Sequence, residues 1–328
     1  MVIQPSAEDT FTPRRMLRGG HRQTLAAALL PRRNLLPASE RRLFEVEPGV
    51  RVLTWCNWQS NPRNALTVII IHGLEGSSES QYVIGTASKA WAAGMNVVRM
   101  NVRNCGGSEA LSPTLYHSGL SQDAGAVVRE LIAADQLPRI ALAGFSMGGN
   151  MALKLAGEWG PAAPRELRAL AAVCPGVDLA AAADALHLRR NRVYEWHFLF
   201  YLGSRLRRQA RLFPERYDVA CLRGIRSLRQ WDNAVTSRYC GFQDADDYYT
   251  RASAAPYIER IAVPTLVIHS KDDPFVPLTP STRARMLANG NMRLIETEHG
   301  GHCGFLAPPA GYDGRWAERR VVEFLRQF

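Results

Sequence analysis

The chain has 328 residues, of which 46% are hydrophobic and 21% charged, and carries a net charge of +10. This is the composition of a folded globular protein with room for a full core, and it excludes a disordered or collagen-like chain. The longest apolar runs, at 24–30 and 198–202, fall far short of the ~20 residues that span a bilayer, so no transmembrane helix is expected.

Residues 1–40 are punctuated by Arg and Pro and read as an N-terminal arm wrapping the body. They place Glu8 and Asp9 early and show no apolar signal-peptide core, so a cytoplasmic location is expected. Six cysteines are scattered without a CxxC spacing. They read as small buried hydrophobes, and no disulfide is expected.

The segments 41–47 (RRLFEVE) and 51–58 (RVLTWCNW) flank a Pro-Gly turn and predict an antiparallel hairpin. The run 65–73 (ALTVIIIHG) is continuously apolar, the pattern of a strand buried on both faces of a parallel sheet. A helix at 87–94, a strand at 95–103, a helix at 121–135 with Ser121 as a competent cap, and a strand at 139–146 follow. A helix at 147–159 and a strand at 169–176 continue the alternation. That order predicts a mostly parallel α/β sheet with helices on both faces.

The alternation stops at 177–257, an aromatic and helical stretch that reads as a cap inserted between two late strands. Strand and helix patterns return at 263–270, 280–289, 292–298 and 315–327. The expected organisation is an arm at 1–40, a core at 41–176 and 258–328, and a cap at 177–257.

The positive charge belongs to two of these segments. Residues 186–230 hold eleven arginines against Glu195, Glu215 and Asp218, and residues 1–42 hold eight against Glu8, Asp9 and Glu40. With no zinc-finger or ribonucleoprotein motif beside them, these clusters do not predict nucleic-acid binding. A solvated arginine-rich face is the plain reading. A peripheral contact of the cap with anionic membrane is the sharper one.

The stretch 144–148, Gly-Phe-Ser-Met-Gly, carries the chemistry. In a G-x-S-x-G turn between strand and helix, the serine hydroxyl projects above the sheet edge, and Gly144 and Gly148 allow the close backbone approach the turn requires. Ser146 is the expected nucleophile and needs a base. In this fold the order is Ser, then acid, then His. Of His299 and His302 after the last strand, Gly300-Gly301 favours His302, leaving His299 a structural residue. Of Asp272 and Asp273 after the preceding strand, the Asp-x-x-Val-Pro pattern favours Asp273. Two backbone N–H groups would hold the oxyanion: Met147, which follows the nucleophile, and Leu74 in the 72–77 loop, whose turn His72 and Gly73 shape. The two late histidines lack an H-E-x-x-H pattern or further ligands, so no metal is expected.

In these residues the chain resembles the YheT-like branch of the α/β-hydrolases, which includes mammalian abhydrolase-domain proteins 1 and 3 and yeast medium-chain ester enzymes. The resemblance spans nearly the whole length: 20–24 (GHRQT), 72–78 (HGLEGSS), 101–108 (NVRNCGGS), 116–119 (YHSG), 144–150, 247–249 (DYY), 272–275 (DDPF) and 301–305 (GHCGF). It implies a nucleophile at Ser146, an acid at Asp273 and a base at His302. It also implies hydrolysis or transfer of acyl esters, on medium-chain or lipid-like substrates, without a cofactor. An acyltransferase using the same three residues is the alternative, and a non-catalytic scaffold on this fold is the alternative of another class.

Overall fold

The structure, a computed structural model, describes residues 10–328, so the first nine residues of the arm lie outside the described residues. Among the described residues the strands are β1 Glu40–Glu47, β2 Val50–Asn57, β3 Thr67–Ile71, β4 Asn96–Met100, β5 Ile140–Phe145, β6 Leu167–Val173, β7 Thr265–Ser270 and β8 Met292–Thr297. They form one sheet in the order β1-β2-β4-β3-β5-β6-β7-β8. The hairpin β1–β2 and the pair β2–β4 are antiparallel, and every later pair is parallel.

The β-branched run of β3 puts all five residues in the interior, at the centre of the sheet. Its side chains alternate between two cores, as a period of two requires. Ile69 and Ile71 join the core beneath helices α3 (Ser121–Ala133) and α4 (Met147–Trp159). Val68 and Ile70 join the core beneath α2 (Gln81–Ala92) and the C-terminal helix Trp316–Leu325. Each fully buried Ile or Val contributes about 1.5–3 kcal/mol relative to exposure.

Between β6 and β7 the chain leaves the sheet. It forms α5 (Leu179–His187), α6 (Arg192–Leu212), α7 (Leu228–Trp231), α8 (Ser237–Cys240) and α9 (Ala245–Ala252), with a π-helical turn at Asp232–Thr236. These make the helical cap over the sheet's carboxyl edge. After β7 come α10 (Pro280–Ala288), β8 and α11, the helix Trp316–Leu325.

One local expectation changes. Ser121 is not the cap of α3: Leu120 holds that position without a side-chain bond, and the Ser121 hydroxyl donates to Glu158 of α4 at 2.6 Å. A partner on the neighbouring helix has taken the hydroxyl from its local role. The arm, read as wrapping the body, contains α1 (Gly20–Leu29), with Gln23 buried and fixed to both the N–H and the carbonyl of Leu306.

Candidate active site

The turn after β5 is as tight as its glycines suggest. Ser146 sits at φ +53°, ψ −118°, a left-handed conformation costing on the order of 1–3 kcal/mol that the surroundings must hold in place. A Cβ on Gly144 would lie 2.3 Å from the Gly148 carbonyl oxygen, and one on Gly148 would lie 2.3 Å from the Ile71 oxygen. Backbone therefore packs on backbone at both glycines, and Ser146 N–H is fixed to Val173 O at 2.9 Å. Helix α4 begins immediately after the serine, so its dipole favours negative charge there.

The late loops bring His302 to this serine. His302 Nε2 lies 2.9 Å from Ser146 Oγ, and its Nδ1 lies 2.7 Å from Asp273 Oδ2. Asp273 also accepts the N–H groups of Phe275 and Val276. The adjacent carboxylate diverges: Asp272 meets His299 at 3.2 Å and accepts from Ser270 Oγ and Gly301 N–H. The two acids and two histidines thus sort into a pair at Ser146 and a pair that shapes the loop. Gly301 lies at φ +57°, and a Cβ there would be 2.3 Å from the Gly20 carbonyl.

Electrostatics follow from burial and contact. Burial disfavours an imidazolium, but the adjacent Asp273 carboxylate outweighs it and holds His302 well above the ordinary 6.5. Burial likewise works against ionisation of Asp273, and the imidazole returns its carboxyl below the ordinary value. Asp273 is thus an anion at neutral pH that can receive the His302 Nδ1–H.

The 72–77 loop lies alongside. His72 is fully buried, with Nδ1 against Gly73 O at 2.8 Å and Nε2 accepting Val102 N–H at 3.1 Å. Burial pushes it down to about 4, so it is a neutral brace. Gly73 N–H donates to Tyr82 OH, and a Cβ at Gly73 would lie 3.1 Å from Ser146 Cβ. The N–H groups of Leu74 and Met147 donate to no acceptor among the described residues, and both residues border the same cavity as Ser146. That cavity measures about 120 Å³ and has largely apolar walls, including Leu186, Phe198, Leu202 and Trp231 of the cap.

Several contributors had no catalytic or binding role assigned from the sequence. Thr24 of α1 accepts His302 N–H at 2.8 Å, so the arm holds the His302 loop. Phe275 packs on the His302 ring at 4.4 Å between centroids. Glu75, next to Leu74, sits at φ +56° and receives a bidentate contact from cap residue Arg205, at 2.8 and 2.9 Å. The Tyr116 hydroxyl donates to the same carboxylate at 2.5 Å. Cys303, read as an inert hydrophobe, adjoins the site: Cys174 Sγ, Cys303 Sγ and a His302 ring nitrogen all lie within 4.8 Å of one another. Burial would raise the Cys303 thiol, yet Cys174 and His302 bring it down to about 6. A soft cation held by these three would compete with Asp273 and Ser146 for the imidazole.

Residues 67–309 match the alpha/beta hydrolase fold family. YheT of Escherichia coli (strain K12), named as an esterase, is 32% identical over 98% of this chain and 95% of its own. Human phospholipase ABHD3 is 26% identical over 98% of this chain and 80% of its own. Among solved structures, Pyrococcus furiosus esterase Pf2001 superposes with TM-score 0.59 at 18% identity, covering 99% of both chains. The 2,6-dihydroxy-pseudo-oxynicotine hydrolase gives 0.60 at 18%, over 94% of this chain and 71% of that one. The two structures share the fold. The sequence match to the family model and to YheT along nearly its whole length places the chain in the α/β-hydrolase family, in its YheT-like branch.

Proposed function

We propose that this hydrolase is a serine carboxylic-ester hydrolase. The observation that carries the reading is the hydrogen-bonded line Asp273–His302–Ser146, at 2.7 and 2.9 Å, on the border of an apolar cavity. Neutral His302 takes the Ser146 proton at Nε2 as Oγ attacks the acyl carbonyl, while Asp273 receives the Nδ1–H and favours the imidazolium that forms. The carbonyl oxygen becomes an oxyanion facing the free N–H groups of Leu74 and Met147. Collapse of this intermediate expels the alcohol, which takes its proton from His302. A water molecule, deprotonated by the same imidazole, then attacks the acyl-enzyme and releases the acid. The relatives named as esterase and phospholipase support the ester class.

The cavity of about 120 Å³ sets the acyl group. An apolar engineered cavity of ~150 Å³ holds benzene, so an acyl chain of about four to six carbons fits without opening the cap. Hydrolysis of p-nitrophenyl esters from acetate to palmitate, with the Ser146→Ala variant alongside, tests the proposal. We expect activity that peaks at short to medium chains and vanishes in the variant. Equal rates in both proteins would overturn the reading.

A further inference from the structure

Helix α6 has one face that the cap fold leaves bare. Its buried side carries Glu195, Leu202, Arg205, Leu206 and Gln209. On the opposite side, at helical spacing, stand Val193, Trp196, Phe200, Ser204, Arg207 and Arg211. Val193, Trp196 and Phe200 are 66%, 61% and 69% exposed, and Arg207 and Arg211 are exposed. Large aromatics that could have packed inward instead face water, in a stripe ~27 Å long that turns from apolar to cationic along the helix.

The arm lies beside this helix. His21 of α1 stacks on Tyr194 of α6 at 5.7 Å with the rings nearly parallel, and its Nδ1 lies 3.0 Å from the tyrosine hydroxyl. On α1, Arg22, Leu25 and Leu29 again form one exposed stripe, with Leu29 77% exposed. Residues 10–39 hold six arginines and no acid, and the single acid of α6, Glu195, is fully buried. Among the described residues, Arg15, Arg18, Arg22, Arg207 and Arg211 have no acidic partner.

We infer that the α1–α6 face docks on an anionic lipid surface. Aromatic side chains that run on into arginines along one helical face match the boundary between headgroups and acyl chains, where the rings enter the interface and arginines meet anionic headgroups. The location adds purpose. Phe198 of α6 borders the catalytic cavity and packs on Phe275, which packs on His302. A lipid surface on the outer face of α6 thus lies one helix away from Ser146. This extends the ester-hydrolase reading by assigning a substrate delivered from that surface, although the docking itself stands on the exposed face alone.

The test is sedimentation of the full chain with phosphatidylcholine vesicles, with and without phosphatidylglycerol, at about 50 and about 500 mM NaCl. Expected is binding to the anionic vesicles that weakens about tenfold or more at high salt. The Trp196→Ser/Phe200→Ser and Arg207→Glu/Arg211→Glu variants should each bind about tenfold or more weakly. Both should keep the wild-type melting temperature and hydrolysis of a soluble ester, which separates a docking defect from misfolding. Binding by wild type without any esterase activity would leave the docking intact and remove the catalytic reading. Wild type that ignores anionic vesicles at low salt, or variants that bind as wild type does, would overturn the docking inference.

Discussion

Replacing Arg205 by Met tests whether the cap holds the catalytic loop in register. The guanidinium makes two contacts to Glu75, at 2.8 and 2.9 Å, with both side chains less than a tenth exposed. Removing it strands a buried carboxylate with only Tyr116 as a side-chain partner. Breaking a buried pair from one side costs about 3–5 kcal/mol. Glu75 lies at φ +56° directly after Leu74, so the freed carboxylate is expected to draw the loop out of position and with it the Leu74 N–H. Loss of one oxyanion donor lowers kcat about 10²–10³-fold. Arg205→Met should therefore melt earlier and lose kcat on p-nitrophenyl butyrate by about 10²-fold with KM little changed, because the acyl cavity is intact. The double variant Arg205→Met/Glu75→Leu removes both charges and should recover most of the stability but not the rate. A stable, fully active Arg205→Met enzyme would refute the reasoning, as would a double variant no more stable than the single one.

Gly148→Ala should be destabilised by about 1–3 kcal/mol and nearly inactive, because its Cβ meets two β3-end carbonyls at 2.3 and 2.6 Å that cannot swing aside. Gly290→Ala, where nothing lies within 4 Å, is the neutral control in the same melting experiment. The pH profile reports on His302. The base works as neutral imidazole, and Asp273 with the Cys303 thiolate holds its titration above 6.5, so the acid limb of kcat/KM should lie above pH 6.5. Cys303→Ser removes one of the two anions and should move that limb to lower pH. A limb that stays in place or rises would contradict the assigned charge on Cys303. In the cap, Leu186→Trp fills part of a cavity of about 120 Å³, and the preferred acyl chain should shorten in a p-nitrophenyl ester series.

Much of this fold was legible because its signals are local. The β-branched run at β3 can only be a strand buried on both faces, and glycines on either side of Ser146 mark a turn where backbone meets backbone. Chain order and loop spacing singled out Ser146, Asp273 and His302, and the folded chain brings them into one hydrogen-bonded line. What stayed hidden depends on partners distant in sequence. Arg205 reads as one of eleven arginines on a solvated face, yet its carboxylate lies 130 positions away. Thr24 and Gln23 look like ordinary arm residues until α1 is seen gripping the loop of His302 and Leu306, nearly 280 residues later. Cys303 carried no sign of its acidity, because the Cys174 contact that helps lower it arises only when the chain leaving β6 brings Cys174 beside it. Ser121 fitted a helix cap by local rule and was claimed instead by Glu158 on the adjacent helix.

The central claim is that an acyl group passes through Ser146. Mass spectrometry of the protein, quenched in acid during turnover of p-nitrophenyl butyrate and digested, reads this directly. The account predicts a butyryl group on the peptide containing Ser146, absent from Ser146→Ala and accumulating further in His302→Ala if any acylation survives there. Ester hydrolysis with no adduct on that peptide, or an adduct elsewhere that persists in Ser146→Ala, would contradict it.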